Sequence, residues 1–385
     1  MKIGVIKELH PLEKRVALVP ETCKTLQNKG LEIIMQSKAG EASGWTDADY
    51  EKCGATIRFN RDEILGGSDC LLMVNGPTDG EENSSIASIK HGSVLITLLY
   101  PLSNLETVRL LNARNITTFA LDLIPRISRA QSMDALSSMS TIAGYKSALL
   151  AANTLMKFFP MLMTAAGTLP PARVFVIGAG VAGLQAIATA KRLGAIVEAF
   201  DVRPAVKEQI ESLGAKFVGL GLTAEELEDA SGYAKEVSAD THTKELELIS
   251  SRLPHCDVVI TTALIPGKPA PVLITKEMLH SMPKGSVIVD LAAVAGGNCE
   301  ETKAGETVVY NGVTIIGAID LPSQMATHSS VMFSKNISEF LMLLVKDGEI
   351  RFDFEDEIIR GAMITNEGKV LHEPTRVALE KVGAL

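Results

Sequence analysis

The sequence predicts an α/β protein built from two doubly wound parallel-sheet domains separated by a cleft. Short apolar runs that fit strands alternate with segments of helical periodicity along most of the chain. The alternation restarts after Pro170-Pro171, and the chain of 385 residues is longer than one ordinary core requires. Pattern and length together therefore favour two domains of similar architecture.

The first domain is predicted to span residues 1–135. Helical segments such as Pro20–Lys29 and Thr46–Lys52 each end at a glycine and separate the apolar runs. Those runs, each of which fits a buried strand, are Lys2–Ile6, Glu32–Gln36, Cys70–Val74, Val94–Leu98 and Thr117–Leu121. Strands that alternate with helices in this way pair in parallel, because each helix carries the chain back to the same edge of the sheet.

The second domain is predicted to span residues 136–322. Strand Arg173–Ile177, helix Val181–Leu193 and strand Ile196–Phe200 form its first β-α-β unit. Three later apolar runs continue the sheet, and they are Val258–Thr262, Ser286–Asp290 and Val313–Gly317. The second half of the chain thus repeats the architecture of the first.

The C-terminal residues, from about 323 to 385, are predicted to complete the first domain. Ser323–Leu344 has helical periodicity and is long enough to cross back to that domain. Ala362–Leu371 places Asn366-Glu367-Gly368 between two β-rich runs, which is typical of a hairpin.

Composition excludes several functional classes. The net charge of −9 gives no electrostatic support for binding nucleic acid or anionic lipid. The five cysteines contain no C-x-x-C pair, and the seven histidines show no metal-binding spacing, so we expect no metal. No segment offers the ~18 uncharged apolar residues that a membrane span requires. We expect a cytoplasmic protein without direct membrane insertion.

A glycine pattern after strand Arg173–Ile177 predicts a dinucleotide site of the Rossmann type. Gly178 permits a tight turn, Gly180 lets the backbone approach a pyrophosphate, and Gly183 allows close packing of helix on strand. The phosphates would then lie at the helix N-terminus, beside Val181 and Ala182. A glycine-rich turn that binds nothing is the structural alternative.

Asp201 at the end of the next strand strengthens this prediction. A carboxylate at that position accepts hydrogen bonds from the adenosine ribose and repels a 2′-phosphate, which favours NAD over NADP. Val202 and Arg203 follow it and are predicted to contact the nucleotide. Arg203 argues in the opposite direction, since a nearby arginine can accommodate that phosphate.

Longer motifs resemble the family of alanine dehydrogenases and nicotinamide nucleotide transhydrogenases. Lys7-Glu8, with Glu13–Ala17 and Pro20, is similar to the opening of that family, and Thr261–Pro271 is similar to its second signature. Pro125–Asp134 and Gly232–Lys235 resemble the transhydrogenase branch alone. The resemblance covers nearly the whole chain.

The residues at three positions separate the two branches. The resemblance places Asn75 where alanine dehydrogenases have a lysine, Tyr100 where they have a histidine, and Val294 where they have a catalytic aspartate. An amino-acid dehydrogenase needs a cation for the carboxylate and a proton-transfer group, and Arg15 alone does not supply both. The transhydrogenase branch is therefore preferred.

That branch implies the NAD(H)-binding component, domain I, of a proton-translocating transhydrogenase. In that branch, hydride is expected to pass directly between NADH on this component and NADP(H) on a partner subunit, without a flavin. The implied partners are a membrane-spanning subunit and an NADP(H)-binding subunit, which would hold the chain at the inner face of the cytoplasmic membrane. The component is also expected to be a homodimer, with the apolar stretch Leu149–Met163 buried between its copies.

The resemblance also assigns the site residues. The catalytic positions, which orient the nicotinamide end rather than react, are Arg126, Gln131, Asp134 and Ser137. Further nucleotide contacts are expected at Ile127, Ser128, Met133, Leu136 and Leu264, and Gly232 and Tyr233 match the family's mobile loop. A solvated polar loop and an ordinary surface tyrosine are the structural alternatives. The functional alternatives are an amino-acid oxidoreductase and a non-catalytic module that senses NAD.

Overall fold

A computed structural model describes residues 1–77, 83–220, 239–265 and 267–383. The chain divides into two compact units. Unit 1 consists of Met1–Met139 and Ser323–Leu385, and unit 2 is Ser140–Pro322. Parallel strands alternate with helices in each unit, which confirms the predicted α/β class.

Each predicted run forms a strand whose ends lie within one residue of the predicted ones, and the described residues contain further strands that the sequence did not indicate. In chain order they are β1 (Lys2–Val5), β2 (Glu32–Gln36), β3 (Thr56–Arg58), β4 (Cys70–Asn75), β5 (Val94–Leu98), β6 (Thr117–Ala120), β7 (Leu162–Thr164), β8 (Gly167–Leu169), β9 (Arg173–Ile177), β10 (Ile196–Phe200), β11 (Lys216–Val218), β12 (Val258–Thr261), β13 (Val287–Asp290), β14 (Thr307–Tyr310), β15 (Val313–Gly317), β16 (Val345–Lys346), β17 (Glu349–Ile350), β18 (Met363–Asn366) and β19 (Lys369–Val370).

The α-helices cover the faces of the two main sheets and connect their strands. They are α1 (Pro20–Gln27), α2 (Asp47–Lys52), α3 (Arg61–Gly67), α4 (Asn83–Ser88), α5 (Leu105–Ala113), α6 (Ala135–Thr154), α7 (Val181–Arg192), α8 (Lys207–Ser212), α9 (Ala239–Arg252), α10 (Lys276–Leu279), α11 (Ala326–Leu344), α12 (Glu357–Ala362) and α13 (Glu373–Lys381). Among the described residues, none of these helices is long and apolar enough to cross a membrane.

The sheet of unit 1 has the strand order β19-β18-β6-β5-β4-β1-β2-β3. Strands β1 to β6 pair in parallel, whereas β18 runs antiparallel to β6 and forms a hairpin with β19. The predicted hairpin is therefore confirmed. Because β1 lies between β2 and β4, the chain reverses its direction of travel across the sheet beside β1, which makes this edge a topological switch point.

The sheet of unit 2 has the order β11-β10-β9-β12-β13-β15-β14, with only β14 antiparallel to its neighbour. Its interior strand β9 is buried on both faces. Val174 and Val176 belong to one apolar cluster, whereas Phe175 and Ile177 belong to a second. A continuous apolar run is the pattern expected of a parallel strand covered by helices on both sides. Strand β9 lies between β10 and β12, which makes a second switch point.

The apolar stretch 149–163 does not form one buried helix or strand. Helix α6 ends at Thr154, and β7 pairs with β8 in a separate antiparallel hairpin. Leu155 and Phe159 are buried, but Met156 and Met163 are 86% and 76% exposed. Strands of three residues are too short to show a period-2 pattern, so the sequence did not reveal this hairpin.

Candidate nucleotide-binding site

The site in unit 2 lies where three parallel strands end. Ile177 of β9 pairs with Phe200 of β10 and with Thr261 of β12. The residues that follow these strand ends therefore leave the sheet at one edge. This register brings Gly178, Asp201 and Thr262 together, at the switch point where ligands of doubly wound sheets bind.

The three glycines meet different surroundings. Gly178 has a φ of +94°, and a Cβ added there would lie 2.6 Å from Thr262 Oγ1. A Cβ on Gly183 would lie 1.9 Å from the Gly178 carbonyl oxygen. A Cβ on Gly180 would have no heavy atom of the described residues within 4 Å. Gly178 and Gly183 are thus required for packing, while the backbone at Gly180 is open to an approaching group.

Helix α7 begins directly after Gly180, and its first N–H groups have no acceptor within the helix. Val181 is 37% exposed at this end. A Cβ on Gly144 of α6 would lie 2.0 Å from the Ala182 carbonyl oxygen, so the backbones of α6 and α7 touch here. The helix N-terminus is held in place from one side and offers donors and a positive dipole end to an anion.

Asp201 is 5% exposed, and both oxygens of its carboxylate accept hydrogen bonds. Oδ2 accepts from the Ala179 backbone N–H at 2.7 Å and from Arg203 Nη2 at 2.9 Å. Oδ1 accepts from the Arg203 backbone N–H and from Arg203 Nε, both at 2.9 Å. Asp201 and Arg203 therefore form a bidentate ion pair next to the glycine turn.

A second acid near Asp201 was not identified from the sequence. Glu245 of α9 is 6% exposed and lies 3.2 Å from His242 Nδ1. Burial raises the pKa of the Glu245 carboxyl, the His242 ring opposes that shift, and the charge of Asp201 adds to it. The sequence did not single out Glu245 because it lies in a charged stretch of an amphipathic helix, and such a stretch usually forms a solvated face.

The segment after β12 carries the predicted contact Leu264, which is 44% exposed. The side chain of Asn298, a residue that the sequence did not indicate, holds this segment in place. Its side chain accepts from the Ala263 N–H at 3.0 Å and donates to the Ala263 and Pro271 carbonyls at 2.9 and 2.8 Å. Asn298 is fully buried, so it acts as an internal brace rather than a ligand contact.

The remaining predicted residues in the described portion of the chain belong to unit 1. Arg126, Ser128 and Gln131 are exposed, Met133 is buried, and the others are half-buried: Ile127, Asp134, Leu136 and Ser137. Val202, which follows Asp201 in unit 2, is also half-buried. Gly232 and Tyr233 lie outside the described residues.

Within unit 1, Asp134 begins helix α6. Its carboxylate accepts from the Ser137 N–H at 2.8 Å and from the Ser137 hydroxyl at 2.5 Å. An aspartate in this position satisfies free N–H groups of the first helical turn. The predicted pair of catalytic positions, Asp134 and Ser137, therefore fixes where the preceding loop ends.

Two contacts from the C-terminal residues of unit 1 hold the loop that contains Gln131. Asn336 of α11 donates from Nδ2 to the Ser132 carbonyl at 2.8 Å. Arg129 forms a bidentate ion pair with Asp356, with both N–O distances 2.8 Å. The Arg129 hydrogen bonds, helped by the Ile358 N–H, lower the pKa of Asp356 to about 2. Contacts separated by 204 and 227 residues leave no local signal in the sequence.

The three positions that separated the two branches have different surroundings. Asn75 donates to Glu13 at 2.7 Å, the Tyr100 N–H donates to Asp122 at 3.0 Å, and Val294 is 66% exposed. Across the residues that the structure describes, no group of three or more His, Cys, Asp or Glu side chains could hold a metal ion.

A glycine turn and a buried acid at the switch point of a parallel sheet define the class of dinucleotide-binding α/β proteins. Comparison with known families narrows this class. Residues 4–143 match the family described as Alanine dehydrogenase/PNT, N-terminal domain, and residues 147–373 match Alanine dehydrogenase/PNT, C-terminal domain. The chain belongs to the alanine dehydrogenase/PNT family.

Its relatives favour the transhydrogenase branch. The chain is 48% identical to a Rhodospirillum rubrum protein named as the first portion of NAD(P) transhydrogenase subunit alpha, over 97% of this chain and 98% of that protein. It is 46% identical to "NAD(P) transhydrogenase subunit alpha" of Haemophilus influenzae, over 96% of this chain and 71% of that protein. A transhydrogenase crystal structure from Sinorhizobium meliloti superposes with a TM-score of 0.85 at 41% identity, covering 96% of this chain and all of that one. Alanine dehydrogenase of Halomonas elongata is more distant, at 29% identity over 97% and 95% of the two chains.

Proposed function

We propose that this chain is the NAD(H)-binding subunit of a proton-translocating NAD(P) transhydrogenase. When bound, NADH supplies the hydride, which is transferred directly to NADP⁺ held by a partner subunit. The observation that carries this proposal is the open backbone at Gly180 beside the buried Asp201, in a chain 48% identical to a transhydrogenase subunit. Unit 2 would hold the nucleotide.

The residues of unit 2 fit a dinucleotide in one orientation. The helix N-terminus at Gly180, Val181 and Ala182 would bind the pyrophosphate, since it combines free N–H groups with the positive end of the helix dipole. Asp201 would accept from the adenosine ribose, and its charge would repel a 2′-phosphate. NADH is therefore expected to bind far more tightly than NADPH.

The proposed chemistry makes modest demands on the protein. A hydride carries its own electron pair, so the subunit needs no general acid, base or nucleophile. It must orient the nicotinamide end and keep water out. We assign orientation to Arg126, Gln131, Asp134 and Ser137, of which Gln131 is exposed on a loop that Asn336 holds in place.

We also propose that the subunit is a homodimer and reaches the inner face of the cytoplasmic membrane through membrane-spanning and NADP(H)-binding partner subunits. The exposed apolar side chains at and before the β7–β8 hairpin support the dimer, and they are Met156, Phe158, Met161 and Met163. A second copy of this chain would remove them from water. Sedimentation equilibrium should give twice the chain mass, and a monomer at micromolar concentration would contradict the proposed dimer.

Reconstitution tests the central activity. The purified chain alone should bind NADH without exchanging hydride. When it is mixed with the NADP-binding subunit of a related transhydrogenase, exchange between NADH and an NADP analogue should appear. A chain that binds NADH but never supports exchange would be a sensing module, and a chain that does not bind NADH would refute the site itself.

Gln131→Asn tests the orienting role. Shortening the side chain by one methylene should reduce exchange roughly a hundredfold, because a shift of about 1 Å in alignment has effects of that size. NADH affinity should stay nearly unchanged. Gln209→Asn, at an exposed position of α8, is the matched control and should change neither. Equal losses of affinity and rate would make Gln131 a simple binding contact.

A further inference from the structure

We infer that Arg203 competes with the nucleotide for the carboxylate of Asp201, so that binding requires its guanidinium to leave that carboxylate. The inference deepens the proposed function, because it rests on NAD(H) binding at the switch point of unit 2. Arg203 would therefore weaken nucleotide binding, whereas a cation near an anionic ligand ordinarily strengthens it.

The hydrogen-bonding capacity of Asp201 carries the argument. An ionised carboxylate offers about four lone-pair positions. Two of them accept backbone N–H groups, from Ala179 and from Arg203 itself. The other two accept Nε and Nη2 of the Arg203 side chain. All four positions are thus in use, and a ribose hydroxyl can donate to this carboxylate only by displacing one of these donors.

The side-chain donors of Arg203 are the ones that can be displaced. The two backbone donors, Ala179 and Arg203, lie in the glycine turn and in the segment after β10, so they can leave only if the main chain moves. The Arg203 side chain leaves by rotation about its own bonds. Its departure frees one lone pair on Oδ1 and one on Oδ2. Two free acceptor positions match the two vicinal hydroxyls of a ribose.

Electrostatics explains why the pair exists in the free protein. Asp201 is 5% exposed, and a buried carboxylate without a counter-charge is strongly destabilising. Burial and the charge of Asp201 both raise the pKa of Glu245, which shows that the carboxylate of Asp201 acts on its buried surroundings. Arg203 balances this charge until the ribose hydroxyls replace its two hydrogen bonds. Nucleotide binding therefore includes the loss of an ion pair.

Equilibrium titration with NADH tests the inference on the full-length chain. Arg203→Gln should bind NADH roughly tenfold more tightly than the wild type, equivalent to about 1.4 kcal/mol. The affinity for NADPH should not rise, because Asp201 still repels the 2′-phosphate. Arg192→Gln, which removes a charge at the opposite end of α7, is the control and should bind NADH as the wild type does or slightly more weakly.

A double-mutant cycle isolates the competition. In an Asp201→Asn background, Arg203→Gln should give no gain in NADH affinity, since there is no ion pair left to break. An equal gain in both backgrounds, or weaker binding by Arg203→Gln in the native background, would overturn the inference. Even if one of these results overturned the inference, a loss of NADH affinity in Asp201→Asn alone would still support the proposed nucleotide site. NADH affinity that is insensitive to Asp201→Asn would refute both.

A structural measurement on the wild-type chain does not depend on any variant folding. In a crystal structure with bound NADH, Arg203 Nε and Nη2 should lie beyond hydrogen-bonding distance of Asp201. The ribose hydroxyls should occupy the two acceptor positions. Retention of the bidentate pair alongside a bound ribose would overturn the inference.

Discussion

The two main sheets share the order of the parallel strands around their switch points but differ in what lies there. In unit 2, Gly178 follows β9, and the open backbone at Gly180 comes two residues later. In unit 1, the chain after β1 reaches Glu8, whose carboxylate accepts from the Val74 and Asn75 N–H groups at the end of β4, at 2.7 and 3.4 Å. A side chain of the protein itself thus occupies this edge of unit 1, whereas no described atom lies within 4 Å of a Cβ placed on Gly180 in unit 2.

A buried charge cluster completes the switch point of unit 1. Glu13 accepts from Arg15 Nε and Nη2 at 2.8 and 2.5 Å, and from Asn75 at 2.7 Å. The Ser323 hydroxyl donates either to Glu13 at 3.0 Å or to the Leu12 carbonyl at 2.7 Å. Burial opposes ionisation, but the hydrogen bonds and charge of Arg15 hold the pKa of Glu13 below its usual value.

Both sheets have a switch point at which a ligand could bind. The residues at that point determine whether the site is accessible. Glu8 and the Glu13–Arg15 ion pair fill the first edge. Glycines leave the second edge open to an anion. Similarity of fold therefore shows the architecture without the chemistry.

Adding a methyl group to the glycine turn should have the largest effect. Gly183→Ala places a Cβ 1.9 Å from a backbone oxygen, so we expect a loss of roughly 2–4 kcal/mol in the free energy of unfolding and no measurable NADH binding. Gly180→Ala meets no described atom within 4 Å and should fold normally, yet it should weaken NADH binding at least tenfold. Denaturant unfolding and NADH titration measure the two effects.

The matched control lies in unit 1. Gly67 at the end of α3 also has no described atom within 4 Å of its Cβ position and no left-handed backbone, so Gly67→Ala should change neither stability nor NADH binding appreciably. If Gly180→Ala bound NADH as well as Gly67→Ala does, the pyrophosphate would not approach the backbone at Gly180.

A change at Glu8 should affect unit 1 through pH. Burial raises the pKa of Glu8 to about 8, against the opposing hydrogen bond from Val74. A raised pKa means that the folded state holds a proton which the unfolded state has lost. Its contribution to stability is therefore complete below the ordinary carboxyl pKa and is lost as the pH rises through about 8.

Glu8→Gln removes this titration. Between about pH 5 and pH 8, the wild type should lose up to about 1.4 kcal/mol of stability per pH unit relative to Glu8→Gln. Urea unfolding at a series of pH values gives the difference, with Glu32→Gln at an exposed position of β2 as the control. Parallel pH profiles for wild type and Glu8→Gln would show that Glu8 is ionised in the folded protein, and NADH binding should be unaffected throughout.

The regular fold could be predicted because its signals are local. Strands β2, β5, β9, β10 and β15 have the predicted bounds, since each is a short apolar run between turn residues. The glycine turn follows from spacing alone. The Asp201–Arg203 pair was not predicted, because the sequence shows a cation two residues from an acid but not which lone pairs it occupies. Asn298 and Asn336 act across long sequence separations, through hydrogen bonds that leave no periodic pattern.

The smallest expected effect is an absence of turnover with alanine. The purified chain should not reduce NAD⁺ with L-alanine above background at any pH, as followed by NADH fluorescence. Arg15 already donates through Nε and Nη2 to Glu13, and Asn75 donates to the same carboxylate, so neither is poised to receive a substrate carboxylate. Asn75→Lys should remain inactive as well, because its cation would meet Glu8 and Glu13, while Val294 still supplies no proton-transfer group. An authentic alanine dehydrogenase assayed alongside is the positive control. Turnover by the wild type would show that the switch point of unit 1 also receives a ligand, and would favour an amino-acid oxidoreductase.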